Sequence, residues 1–142
     1  MTPVVRKATP ADLPAVLAIE HEAFPEGPWR VEDFEADECL VAEVDGRIAG
    51  FLVSRQTFPP AAGARAEREI LNLAVTHAYR RQGVASALLN QALTHPAVYF
   101  LEVRASNLAA QHLYRKMGFV AVGQRPEYYD SPVETAIVMQ MK

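Results

Sequence analysis

Apolar positions along this chain switch repeatedly between the alternation of strands and the three-and-four spacing of helices. "VVRKA" at 4–8 reads as a short strand. Thr9, Pro10 and Asp12 then read as a helix start: a hydroxyl cap, a proline in the first turn and an acid near the positive end of the dipole. Leu13, Val16, Leu17 and Ile19 give that helix an apolar stripe, and "FPEGP" at 24–28 stops it. A second short helix is expected from Trp29 to about Asp37. "CLVAEV" and "IAGFLVSRQTF" flank Asp45-Gly46, a hairpin signal because glycine accepts the positive φ such turns need. "REILNLAV" at 68–75 predicts another strand. "VASALLNQAL" at 84–93 predicts a helix with Ala85, Leu88, Leu89 and Ala92 on one face. A strand at 97–105 follows, then a helix at 107–118 closed by Gly118 as a left-handed cap. Two last strands, around "FVAVGQ" and "ETAIVMQM", are joined by "RPEYYDSP".

The predicted order is β-α-α-β-β-β-α-β-α-β-β. A hairpin ahead of a β-α-β unit implies a mixed sheet in an α/β (α+β) domain, with a right-handed crossover joining parallel strands between 68 and 104. At 142 residues one domain, 1–142, is expected. "TFPPAAGARA" at 57–66 reads as a connector within it. Half the residues are hydrophobic and 22% are charged, which marks a globular chain. A net charge of −3 argues against a nucleic-acid binder with a broad basic face. Cys39 is the single cysteine, so no internal disulfide forms and a reducing compartment fits. The start lacks the apolar core of a signal peptide, and no apolar run approaches the roughly 20 residues that span a bilayer. The expectation is a soluble cytoplasmic protein with no membrane partner. The histidines at 21, 77, 95 and 112 show no metal-ligand spacing, and no metal is expected.

The segment with the most charge in the fewest positions is "AYRRQGVASALL", residues 78–89. A strand ends at Val75 and a helix starts near Val84, so the amides of Gln82 to Ser86 face out of the helix's first turn. Such a terminus carries about half a positive charge and donates hydrogen bonds without side chains. Gly83 lets a ligand approach the backbone. Arg80 and Arg81 add forked donors that match phosphate oxygens. This is neither a Walker A loop nor a GxGxxG fingerprint, and a solvated loop is the competing reading.

"LNLAVTHAYRRQGVASALL" resembles the acetyl-CoA-binding segment of the GNAT superfamily of N-acetyltransferases, Arg80 to Ala85 matching its Arg/Gln-x-x-Gly-x-Gly/Ala loop. "LEVRASNLAAQHLYRKMGF", "RPEYYDSPVETAIVM" and "AFPEGPW" extend the resemblance over essentially the whole chain. Within the superfamily the closer likeness is to the bacterial branch that acetylates the N-terminal alanine of ribosomal protein S18. The resemblance implies a mostly antiparallel sheet of about seven strands, a parallel pair beside the cofactor cleft, and helices on both faces. It implies that Leu73, Ala74 and Val75 offer backbone groups to the pantetheine arm. The pyrophosphate would rest on Arg80, Arg81, Gln82, Gly83, Val84, Ala85 and Ser86, with Asn107 touching the cofactor further along. Glu102 would be the proton acceptor and Tyr114 the proton donor. The partners it implies are acetyl-CoA and a protein N-terminus, that of a ribosomal protein.

The chemistry is consistent with these residue types. An amine must be neutral to attack a thioester, and an α-amine has a pKa of about 8 against about 10.4 for lysine. One carboxylate is an adequate base for the former, and a phenol can serve the departing thiolate. Read from the residues alone, Glu102 also suits a solvated face or an ion pair with an arginine such as Arg104. Tyr114 also suits core packing, and Glu69 is a rival base. Trp29, Tyr128 and Tyr129 border expected loops and are candidates for a peptide groove, or ordinary edge aromatics. "EDFEADE" at 32–38 is a solvated helix face that can also attract a basic peptide. Two other functions stay open: acetylation of a small-molecule amine or lysine, and a non-catalytic module that binds coenzyme A.

Overall fold

The computed structural model describes residues 2–35, 37–57, 65–130 and 132–142. Strands β1 (Val4–Lys7), β2 (Glu38–Val44), β3 (Arg47–Gln56), β4 (Ala66–Val75), β5 (Ala97–Arg104), β6 (Val120–Tyr129) and β7 (Glu134–Met141) form one sheet. Its order is β1-β2-β3-β4-β5-β7-β6. The helices are α1 (Leu13–Ala23), α2 (Val31–Glu35), α3 (Val84–Ala92) and α4 (Leu108–Lys116). β4 and β5 run parallel, and the pairs β1/β2, β2/β3, β5/β7 and β6/β7 run antiparallel. The order of elements and the mixed sheet are those expected from the pattern of apolar residues. Most of the connector expected at 57–66, with the end of the strand expected to reach Phe58, lies outside the described residues.

The chain groups into two compact units. The first comprises residues 1–55 and 72–94. Its core holds Val16, Ile19, Phe34, Val41, Phe51, Leu52, Leu88 and Leu89, all buried. Asp45 and Gly46 both take positive φ, 53° and 76°, as a tight two-residue hairpin requires. Gly50 is needed for a different reason: a Cβ there would lie 2.8 Å from the Ala74 carbonyl oxygen. Thr9 and Asp12 form a capping box at the helix start, in which Asp12 accepts from the Thr9 N–H at 2.7 Å and from its Oγ1 at 3.1 Å. Residues 10–12 are a 3-10 turn leading into α1. Arg6 donates to both Asp12 oxygens, and that cation, with the Thr9 bonds, holds the Asp12 carboxyl well below the usual carboxylate range.

The second unit comprises residues 56–71 and 95–142. The parallel ladder runs from Ala66–Ala97 to Ile70–Leu101. Along β5 the odd residues Tyr99, Leu101 and Val103 are buried, while Phe100, Glu102 and Arg104 share the other, half-buried face. α4 ends as expected at Gly118, with φ 111° and paired bonds from Gly118 N to Arg115 O and from Phe119 N to Tyr114 O. "RPEYYDSP" is not simply a connector: β6 continues through Tyr129. The pairing advances four residues on β6, Arg125 to Tyr129, while β7 advances two, Ala136 to Glu134. A bulge at an edge strand absorbs Pro126, whose missing N–H costs no ladder bond there, and Glu127 with φ 54°. Turn chemistry in the sequence therefore marks a bulge and not the strand's end.

Candidate active site

In the first unit the loop after β4 is shaped by its main chain. Arg81 and Gly83 both adopt left-handed φ, 63° and 79°. Nothing lies within 4 Å of a Cβ placed on Gly83, so backbone geometry and not space calls for glycine. Arg81 tolerates the same region despite its Cβ, a conformation costing about 1–2 kcal/mol. Gly83, the N-cap of α3, brings no side chain, so among the described residues the first-turn amides are left for another acceptor. Alternation of this kind turns successive N–H groups into an anion-binding concavity. Arg80 Nε donates to the Val75 carbonyl at 3.2 Å, and Gln82 Nε2 to the Ala78 carbonyl at 3.3 Å. The guanidinium of Arg80 thus braces the loop against the end of β4. Arg81, Gln82 and Gly83 are exposed, while Val84 is buried and anchors α3.

Two carboxylates of α1 bracket the residues Leu73 to Val75. Glu20, 1% exposed, accepts from Asn72 Nδ2 at 2.8 Å and from the Trp29 N–H at 2.8 Å. Glu22 accepts from Thr76 Oγ1 at 2.9 Å and from the His77 N–H at 2.6 Å, and these bonds lower its pKa. The Trp29 ring packs tilted on Phe34, centroids 5.1 Å apart, and Phe34 meets Phe51 edge-on at 5.3 Å.

In the second unit side chains make the site. Glu102 and Gly123 both stand opposite Val138, and Arg104 and Arg125 both stand opposite Ala136. Period-two geometry puts all four on one face of the sheet. Gly123 places no side chain between Arg125 and Glu102, and Arg125 Nε comes within 3.0 Å of Glu102 Oε2. The N–H does not point along that line, so the contact is an ion pair without a hydrogen bond, and this buried oxygen keeps an open acceptor position among the described residues. Tyr128 Oη donates to Glu102 Oε1 at 3.4 Å. Arg104 is not the partner of Glu102. It pairs with Glu134 at 3.2 Å, donates to the carbonyls of Asp130 and Pro132, and lies 4.4 Å above the Tyr129 ring. Tyr128 and Tyr129 meet edge-on at 5.0 Å. Glu69 stands opposite Phe100 and so shares this face.

Tyr114 is buried in α4, its ring 5.9 Å from that of Phe119. Burial pushes its phenol up to about 12. Burial, then the charge of Glu102, pushes Tyr129 up to about 12 as well, and Tyr128 is raised by the same two causes. All three phenols therefore keep their protons at neutral pH. Asn107 serves the fold directly: its Oδ1 caps α4 by accepting from the Ala110 N–H at 3.1 Å.

Comparison with known families settles what such parts belong to. Residues 11–119 match the model of the acetyltransferase (GNAT) family. The chain belongs to that family. It is an N-acetyltransferase by fold and by relatives. It is 32% identical over 142 residues to the Escherichia coli [ribosomal protein bS18]-alanine N-acetyltransferase, covering 92% of this chain and 90% of that one. It is 31% identical to a Sulfurisphaera tokodaii N-alpha-acetyltransferase, covering 88% of this chain and 84% of the relative. Of a 31%-identical Mycobacterium leprae protein it spans 40% of the length. The crystal structure of the Escherichia coli enzyme superposes with a TM-score of 0.85 at 30% identity, over 99% of this chain and 93% of that one.

Set on this GNAT scaffold, Arg80 to Ser86 form one continuous loop and helix start, and Glu102, Tyr128 and Tyr129 form one cluster. The residue patterns alone did not reveal Arg125, Asn72, Glu20 or Glu22. Glu20 did leave a signal: it occupies the core-facing slot four residues after Val16, where an apolar residue belongs. Arg125 left none, because only the strand register brings it to Glu102.

Proposed function

We propose that this GNAT protein transfers acetyl from acetyl-CoA to the N-terminal α-amine of a protein by direct attack within a ternary complex, with a ribosomal protein's N-terminal alanine as the acceptor. The observation that carries the donor half is the left-handed pair at Arg81 and Gly83 opening an α3 with no side-chain cap. That main chain fits a diphosphate, with the Arg81 guanidinium beside it and Val84 to Ser86 supplying first-turn amides. Leu73 to Val75, which continue β4 beyond its ladder with β5, suit the pantetheine arm. The Arg80 bond occupies the Val75 carbonyl. Bound acetyl-CoA supplies a thioester carbonyl as electrophile.

Glu102 is the base. It takes a proton from the α-ammonium before attack, or from the nitrogen as the new C–N bond forms. Glu69, on the same face, is the alternative base. Tyr114 meets the sulfur as the C–S bond breaks. Full transfer from a phenol near 12 to a thiolate of pKa about 8.5 would be uphill by about 5 kcal/mol. Its role is therefore to hold the thiolate by a hydrogen bond, a refinement of the proton donor expected from the family pattern. Support for the α-amine comes from relatives above 30% identity that are named for N-alpha or alanine N-acetylation. Trp29, Tyr128 and Tyr129 are assigned to the acceptor side.

The test offers the protein an alanine-starting ribosomal peptide, a peptide whose only amine is lysine, and a polyamine, and locates the acetyl group by mass spectrometry. Label on the α-nitrogen is expected. Label confined to lysine or to the polyamine would move the substrate class. Acetyl-CoA binding with no product from any acceptor would mark a module that only binds coenzyme A.

A further inference from the structure

Glu20 is a buried carboxylate that the proposed chemistry does not use. Both of its oxygens are engaged at 2.8 Å, one by the Asn72 side-chain amide and one by the Trp29 backbone N–H. No lysine, arginine or histidine is among its described hydrogen-bond or ion-pair partners. A buried carboxylate held by two neutral donors is costly unless both bonds persist, so the arrangement fixes whatever carries the donors. Those carriers are the loop between α1 and α2, at Trp29, and β4 one residue before Leu73. Glu22 holds the other end of the same stretch through Thr76 and His77. The short loop 24–30 has no helix or strand of its own, and Trp29 has one half-buried ring on Phe34 to hold it.

We infer that Glu20 is a positioning residue for the acceptor: it locks the Trp29 loop to the β4 segment that precedes the acetyl-donor contacts, and so sets acceptor affinity. This rests on the functional reading above. Glu20→Ala removes both acceptors and leaves the Asn72 amide and the Trp29 N–H without them. Glu20→Gln is the conservative control: its oxygen accepts from the Trp29 N–H while its NH2 donates to Asn72 once that side-chain amide turns over to present its oxygen, which keeps both bonds without the charge.

Trp29 is the only tryptophan, so its fluorescence reads the loop without any need for activity. In Glu20→Ala, acrylamide quenching of Trp29 is expected to rise and acceptor KM to rise about tenfold, with kcat and calorimetric acetyl-CoA affinity little changed. In Glu20→Gln, quenching and KM are expected to stay near wild type. Should Glu20→Ala fail to fold, Asn72→Ala carries the test, because it removes one of the two bonds, spares the Trp29 bond and should raise KM severalfold. Unchanged quenching or unchanged KM in the folded disruptive variant overturns the inference, as does a Glu20→Gln variant as impaired as Glu20→Ala. A purely structural role, lowering thermal stability while leaving KM alone, overturns it too. Failure of the acetylation reading looks different: wild type would modify no α-amine although Trp29 still responds to Glu20→Ala, and the role of Glu20 toward an acceptor would fall with it.

Discussion

The loop at 80–86 and the cluster around Glu102 are built from opposite materials. The loop is exposed, its shape resides in two φ angles, and one arginine braces it. The cluster joins half-buried Glu102 and Tyr129 to exposed Arg125 and Tyr128, and its shape resides in which side chains the register of β5, β7 and β6, with the bulge before Tyr128, brings to one face. A site made of main chain depends on a few residues in a row. A site made of side chains depends on residues far apart in sequence and on the strands between them. The first should bend under backbone substitutions that leave charge alone, and the second under isosteric changes that leave the backbone alone.

The sharpest way to break that contrast is Tyr114→Phe. It removes one oxygen from a buried ring and, by deleting the hydrogen bond to the departing thiolate, should lower kcat by about a few hundredfold, with acetyl-CoA affinity unchanged. Glu102→Gln should cost about a hundredfold in kcat/KM, and Glu69→Gln less. The reverse ranking would hand the base to Glu69. On the loop side, Gly83→Ala adds no clash but imposes a Cβ on φ 79°, and calorimetry should show acetyl-CoA binding about tenfold weaker with little loss of kcat at saturation. The smallest expected effect is in pH. A phenol raised to about 12 keeps its proton well past neutrality, so kcat/KM should not fall through Tyr114 ionisation between about pH 8 and 10. A fall with its midpoint near the ordinary phenol value of about 10 would mean that the ring is wet.

The same contrast explains what sequence reading can reach. The loop was legible because its requirements are consecutive: arginines, a glycine, then an apolar helix. The sheet was legible because alternation and turn residues are local, as at Asp45-Gly46. The fit of Glu102 to Arg125 was not, since it needs Gly123 and Val138 to stand in register with it. Arg104, a natural neighbour of Glu102 on the same strand, is instead taken by Glu134 and the carbonyls of Asp130 and Pro132. The continuation of β6 through Pro126 is not legible because residues that favour turns also shape a bulge at a sheet margin. Trp29 was legible as an aromatic near a loop, but the buried acid that holds it was concealed in an otherwise apolar stripe.

β6 has one further consequence. It is ten residues long, lies at the outer margin of the sheet, and exposes Val120 and Val122 to water. Such a rim invites a second molecule to zip on and begin a filament. Pro126 presents no N–H to such a visitor, the double offset before Tyr129 breaks its register, and Arg125 and Glu127 add charge where it would dock. The distortion that brings Tyr128 to Glu102 thus also guards the protein against self-association, so straightening β6 to simplify it would invite aggregation as well as disturb the cluster.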